Sequence, residues 1–225
     1  EQLLVHENGA VAIDRDMPFD RAALMGCAVV TGAGSVFNSA AVRPGEHVAV
    51  IGCGGIGLAA INAARIAGAA RIVAIDPVPA KRELAEKLGA TDSFAPDAER
   101  LREQVVELTK GGVHHAIEAV GQIGAGELAL ALLRRGGTAT IVGMMPLSEK
   151  LPMGALDLLA EKKLQGCLMG SNRFPVDIPR RVDFYLAGRL DLDSVIAERI
   201  PLARINAALD KLRTGEAARS VVVFE

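Results

Sequence analysis

The chain has 225 residues, half of them hydrophobic, and a formal net charge of −2; that suits one to one and a half domains with a sizeable buried core. Charges of both signs are interspersed without a basic tract, and one Tyr, six Phe and no Trp leave little for bases to stack on, which excludes nucleic acid as an expected partner. No apolar run is expected to reach the roughly 18 residues of a membrane span, the opening lacks the basic and apolar regions of a signal peptide, and the widely spaced Cys27, Cys53 and Cys167 suit a reducing cytoplasm rather than a disulfide scaffold.

LLVHENGAVAI (3–13) reads as two short strands, and with no initiator Met before it the opening looks like a cut edge. From residue 45 to about 170 apolar, β-branched runs alternate with amphipathic ones. HVAVIG (47–52) predicts a strand, 56–68 a helix stopped by Gly68, RIVAID (71–76) a strand, and 79–89 a helix stopped by Gly89. DSFA (92–95) predicts a short strand and 98–112 a helix; HHAIEAVG, GAGELALALLRRGG, TATIVG, LDLLAEKK and LQGCLMG continue the alternation. Near-continuously apolar strands separated by helices predict an α/β fold with a doubly wound parallel sheet of the Rossmann type. From Ser171 the pattern changes to helix (176–188), strand (195–200), helix (202–214) and strand (219–224), elements that suit a return to a second domain.

The chemistry is concentrated in VAVIG-Cys53-GG-Ile56-Gly57, a GxGxxG on Gly52, Gly54 and Gly57. It follows a strand, opens a helix, and is trailed about 20 residues on by an acid, Asp76, the full context of a dinucleotide fingerprint. Gly52 permits the tight turn, Gly54 lets backbone approach a pyrophosphate, and Gly57 allows close helix–strand packing. The amides around Gly54, Gly55, Ile56 and Gly57 then face the phosphates, with the helix dipole behind them. Asp76 is placed to accept the ribose 2′- and 3′-hydroxyls and to repel a 2′-phosphate, so NAD is expected over NADP; as the alternative, Asp76 is a turn or N-cap residue before Pro77. Lys81 and Arg82 lie close enough to offset some of that repulsion.

These residues carry a resemblance. The stretch from Gly26-Cys27 through GATDSF, resumed at GGVHHAIEAVG, GGTATIVGM and IPLARINAALDKLRTGEAARSVVVF, is similar to the medium-chain zinc-dependent alcohol dehydrogenases. Within them it is nearest to the branch of class III (glutathione- or mycothiol-linked formaldehyde) and aryl-alcohol enzymes. The resemblance implies an end of a GroES-like catalytic domain and linker at 1–26, an NAD-binding domain at 27–170, and a segment at 171–225 returning towards the catalytic domain. It places Cys27 as a ligand of the catalytic zinc, Thr31 at the nicotinamide end of the coenzyme and Lys81 at the adenine ribose. Val120, Gly121, Val142, Gly143 and Met144 fall around the nicotinamide pocket, and Arg219 at the pyrophosphate, a task suited to a planar fork of donors.

A catalytic zinc takes about three protein ligands, and the other family ligands, a Cys near the start and the His of a Gly-His-Glu motif, are not in this chain, nor are the four-Cys zinc lobe and the hydroxyl–His proton relay. Beyond the ligand Cys27 no catalytic residue is expected here, and the chain alone is expected to be inactive. The implied reaction is hydride transfer from an alcohol, or a thiol–formaldehyde adduct, to NAD; the implied partners are an alcohol or aldehyde substrate and a second copy of the chain. Thr138 to Pro146 and the segment after it are expected at the pairing edge. Two other readings are a zinc-free quinone or enoyl reductase of the same superfamily, against which Cys27 and Asp76 speak, and a non-catalytic dinucleotide-binding module. The family strand that usually begins Gly-Val-Asp begins here Val113-His114-His115; these histidines point to opposite faces at the wrong end of a sheet for ligands, and are expected to be packed or solvated. Cys53, within the glycine loop, is expected to face the phosphates and Cys167 to lie in an apolar strand, both as inert small side chains.

Overall fold

The alternating apolar runs become a six-stranded parallel sheet in the computed structural model, which describes residues 3–97, 99–214 and 219–224. A long helix α1, Phe19–Ser39, comes first. Then follow β1 (His47–Ile51), α2 (Gly55–Ile66), β2 (Arg71–Ile75), α3 (Pro79–Leu88), β3 (Asp92–Phe94), α4 (Leu101–Leu108) and β4 (Val113–Glu118). The series continues with α5 (Ile123–Leu132), β5 (Leu133–Ile141), α6 (Ala155–Leu159) and β6 (Lys163–Gly166). The tail holds α7 (Phe174–Leu186), β7 (Glu198–Ile200), α8 (Ile205–Thr214) and β8 (Ser220–Val222). Strands lie in the order β3-β2-β1-β4-β5-β6, and β7 and β8 form a separate parallel pair.

The central strands β1 and β2 are buried on both faces, which is why they read as apolar runs after their first residue. Val48 and Val50 join Val36, Leu58, Ile61 and Leu88 on one face. Ala49 and Ile51 join Leu101, Val105, Ala129 and Leu132 on the other. The order reverses at β1, with β2 on one side (Val48 opposite Ile72) and β4 on the other (Val48 opposite His115). A crevice therefore opens outside the carboxyl ends of these strands, where α/β sheets bind ligands.

Several expectations are corrected. Residues 3–13 form no strand among the described residues; they hold one 3₁₀ turn, Glu7–Gly9, because no neighbouring strand is there to pair with them. The helix expected from 98 runs only over Leu101–Leu108: Arg100 is left-handed (φ 58°), Thr109 leaves helical geometry, and Ala98 lies outside the described residues. The helix expected to reach Gly137 ends at Leu132, where Leu133 turns into β5 and pairs with Val113. The strand expected over 164–170 stops at Gly166, since Met169, Gly170 and Ser171 all have positive φ in a 3₁₀ turn. Residues 215–218, just before the last strand, lie outside the described residues.

Helix α1 corrects the expectation that no apolar run is long enough to span a membrane: its 21 residues pass by length and composition. Its apolar side chains are instead covered by protein. Ala33 and Val36 enter the core beside α2, and a Cβ on Gly32 would overlap the carbonyl of Ile56 in α2. The helix widens into π-type turns at Met25–Val29 and Ser35–Ser39, and the expected domain boundary at 26–27 falls within the first of them. Met17, Leu24, Met25 and Val29 form a third apolar cluster with Val182, Leu190, Leu192 and Val221 of the tail.

Candidate functional site

β1 delivers the chain into the glycine turn. Gly52 is left-handed (φ 92°), a conformation that only glycine adopts without strain. Its amide donates to the carbonyl of Ile75 (2.8 Å), tying the turn to β2. A Cβ on Gly57 would overlap the carbonyl oxygen of Gly52, so α2 packs directly on the end of β1. At Gly54 a Cβ would meet nothing within 4 Å, which leaves the backbone there open to an approaching group. The first amides of α2, with no intrahelical acceptors, point to the same space.

Asp76 stands beside this turn, only 5% exposed. Its Oδ2 accepts the Cys53 amide (2.8 Å) and its Oδ1 the Val78 amide (2.9 Å), so the carboxylate braces both the glycine loop and the entry to α3. Each oxygen retains accepting capacity beyond these bonds. Arg82 donates to the carbonyls of Asp76 and Pro77 (2.7 and 3.1 Å). The cleft, of about 520 Å³, is lined by Gly52, Asp76, Lys81, Val120 and Gln122, with Leu128 below. Gln122 and Leu128 were not singled out in the sequence; a polar residue capping the helix after a strand is the signal for the first.

On the far side of the glycine turn lies Arg219, which a Cβ on Gly55 would strike. Its buried Nε has no protein partner. Thus a guanidinium from just before β8 reaches the start of α2, 164 positions earlier in the chain (219 − 55). Arg219 also lines a hollow of about 340 Å³ with Cys27, which sits exposed on the first π-type turn of α1.

At the ends of β4 and β5 the turns interlock. Glu118 is fully buried; its Oε1 accepts the amides of Val120 (2.8 Å) and Gly121 (2.6 Å). Its backbone carbonyl accepts those of Val142 and Gly143 (2.9 and 3.1 Å). Gly121 is left-handed (φ 86°), and a Cβ on it would crowd the carbonyl of Met144 (2.6 Å). Val120, Gly121, Val142, Gly143 and Met144 are therefore assembled in one place, with Val120 and Met144 exposed. The organising acid was missed: Glu118 lies mid-pattern in HHAIEAVG, and an acid inside an apolar strand is the signal that marks it.

Three placements differ from expectation or stand apart. Cys53 does not face the phosphate side: its side chain is buried among Val36, Val50 and Leu58, and burial, with Asp76 nearby, pushes its thiol up to about 12. Thr31 is buried, its hydroxyl 3.9 Å from the sulfur of Met169 rather than in the open cleft. Cys27 has no metal-binding company: among the described residues no three His, Cys, Asp or Glu side chains converge as a metal site requires. A lone thiolate does not meet a catalytic zinc's need for about three protein ligands.

Residues 55–184 match the family model described as zinc-binding dehydrogenase. Alcohol dehydrogenase 1 of Pisum sativum is 33% identical, over 100% of this chain and 60% of its own length. Alcohol dehydrogenase class-3 of Myxine glutinosa is 34% identical, over 99% of this chain and 60% of its own. The crystal structure of benzyl alcohol dehydrogenase from Acinetobacter calcoaceticus superposes with a TM-score of 0.94 at 30% identity, covering 97% of this chain and 60% of that one. The chain thus spans about 60% of the length of the relatives it matches.

Proposed function

This chain belongs to the zinc-binding dehydrogenase family, and from that premise we propose that it binds NAD and forms the coenzyme-holding part of an alcohol dehydrogenase. Its reaction is hydride transfer between an alcohol, or a thiol–formaldehyde adduct, and the nicotinamide. The observation that carries this reading is the crevice at the reversal of strand order, with the glycine turn and Asp76 on one side and Arg219 over Gly55.

The residues present fit a dinucleotide. Gly54 leaves open the approach that a pyrophosphate needs, and the unpartnered Nε of Arg219 supplies a charged donor there. Asp76 accepts ribose hydroxyls and disfavours a 2′-phosphate, and Lys81 stands at the adenosine side. Val120, Gly121, Val142, Gly143 and Met144 wall the nicotinamide side, and Thr31 is assigned to the same end of the coenzyme. Bound NAD supplies the hydride acceptor, chemistry that no side chain here possesses. A zinc held partly by Cys27 belongs to the complete enzyme in this reading, and no proton or hydride step can be derived from Cys27 alone. The packing of residues before 26 against the tail beyond 171 supports their reading as the approach to a second domain.

The test is Arg219→Ala. Losing a charge-assisted contact to the pyrophosphate should weaken NAD binding by about tenfold to a hundredfold by calorimetry. Thermal stability should be unchanged, since the buried Nε has no protein partner to lose. Unchanged NAD affinity would remove Arg219 from the site.

The chain is also proposed to pair with a second copy through the sheet. Thr138–Ile141, expected at the edge, is covered: β6 pairs with it, Ala139 opposite Leu164. The edge at this end of the sheet, among the described residues, is therefore Lys163–Gly166, flanked by exposed Leu156, Leu158, Leu159 and Leu168. A bare strand edge beside such a patch is an association surface unless covered. Sedimentation should show a dimer at micromolar concentration and a monomer for Leu158→Glu/Leu159→Glu; a monomeric unaltered chain would refute the pairing.

A further inference from the structure

At the end of the sheet opposite the nucleotide cleft, four cationic side chains converge. Arg43, Arg134, Arg135 and Lys163 line a hollow of about 300 Å³ at the amino ends of β4, β5 and β6. None of the four forms an ion pair among the described residues. The acid in the lining, Glu46, is already engaged: its Oε2 accepts the Arg43 amide (2.8 Å) and meets Nε2 of His115 (2.9 Å). The hollow sets four cationic side chains against this one carboxylate.

His114 shows what is missing from it. Its Nδ1 accepts the backbone amide of His47 (3.0 Å), a contact fixed by the pairing of β1 with β4. Its Nε2 lies 2.8 Å from Nη1 of Arg134. Burial and Arg134 hold this imidazole below its ordinary value, so it is neutral at physiological pH. A neutral imidazole has one accepting nitrogen, and a guanidinium never accepts. With Nδ1 occupied by the amide, Nε2 carries the hydrogen, and two N–H donors face each other. An oxygen acceptor reached by both resolves the conflict. The cations around the hollow favour a negative acceptor there.

We propose that this hollow is a second anion site, which takes a tetrahedral phosphate dianion, either free or carried by a small metabolite. Arg134 and Nε2–H of His114 share one phosphate oxygen, and Arg135, Arg43 and Lys163 surround the others. Arg134 and Arg135 are adjacent on β5 and both are exposed where they line the hollow. His115 and Glu46 pair with each other in its wall. The site lies a full strand length from the glycine turn and shares no lining residue with the nucleotide cleft. It therefore stands whether or not NAD is the coenzyme.

The experiment is a titration of the full chain with inorganic phosphate, glycerol 3-phosphate or acetate, followed through the ring signals of His114 and His115 by NMR. Phosphate should move the His114 signals saturably in the millimolar range or below, and acetate should not. A tighter response to glycerol 3-phosphate than to phosphate assigns the site to a phosphorylated metabolite; an equal response assigns it to free phosphate. Arg134→Gln should weaken the response by about tenfold or more. Arg135→Gln serves as a second variant should the first disturb the fold, and Lys150→Gln, an exposed charge outside the hollow, should leave the response unchanged. The proposal is overturned by phosphate that moves only glycine-turn signals, by an acetate response equal to that of phosphate, or by equal responses in the Arg134, Arg135 and Lys150 variants.

Discussion

Replacing Gly57 by Ala should both destabilise the chain and abolish NAD binding. The new methyl would overlap the carbonyl oxygen of Gly52, and that oxygen belongs to a left-handed turn pinned to β2 by its own amide. Neither partner is the free end of a flexible side chain, so α2 must move off the strand. Forced overpacking at a fully packed junction costs about 3 kcal/mol. That displacement also swings the first amides of α2 away from the phosphates. The companion is Gly54→Ala, where a Cβ meets open space and φ is −78°. It should leave stability unchanged and still weaken NAD, because the methyl occupies the space through which the pyrophosphate approaches. Urea unfolding and calorimetry read the two effects separately. A Gly57→Ala midpoint equal to that of the unaltered chain would contradict this packing.

Asp76→Ala should have the second-largest effect, in two independent readouts. The first is stability. The carboxylate is nearly buried and accepts two amides, from Cys53 and Val78, which the substitution strands without acceptors. Hydrogen bonds to a charged acceptor contribute about 1.5–3 kcal/mol each, so a loss of about 2–4 kcal/mol is expected once water partly replaces the carboxylate. The second is coenzyme choice. Removing the negative charge weakens NAD and relieves the repulsion of a 2′-phosphate, with Lys81 and Arg82 close by, so the ratio of NAD to NADP affinity should fall by about tenfold or more. Asp76→Asn keeps one oxygen but turns a donor towards a backbone amide, and should recover only part of the stability. An unchanged coenzyme ratio in a folded Asp76→Ala chain would show the carboxylate to be purely a brace.

Of the two readings of Asp76 weighed in the sequence, the structure contains the turn brace, and the ribose contact is the one proposed above. Local periodicity and glycine punctuation decide the alternating core, because β1 and β2 are apolar after their first residue and the helices that follow them start at a glycine and a proline. Asp76, Gly52, Gly54 and Gly57 stood out because their spacing reflects one continuous strand–turn–helix. What escaped depends on partners distant in the chain. LLVHENGAVAI reads as two short strands, yet among the described residues no strand lies alongside it. β6 rather than β5 is the edge, a matter of sheet order that neither strand's residues encode. Cys53 shares the glycine loop, but its side chain turns into the core between α1 and β1. Glu118 is a partial exception: its carboxylate accepts amides of its own following turn, while its backbone carbonyl ties that turn to Val142 and Gly143. His114 and His115 do face different partners, as alternation requires, but the cations that make their surroundings electropositive come from residues 43, 134, 135 and 163.

The most direct test of the account is a calorimetric comparison of NAD and NADP binding to the unaltered 225-residue chain. Asp76 at the end of β2, beside a glycine turn open at Gly54 and flanked by Arg219, predicts that NAD binds and that NADP binds about tenfold more weakly or worse. Equal or tighter binding of NADP, or no binding of either nucleotide by the folded chain, would contradict it.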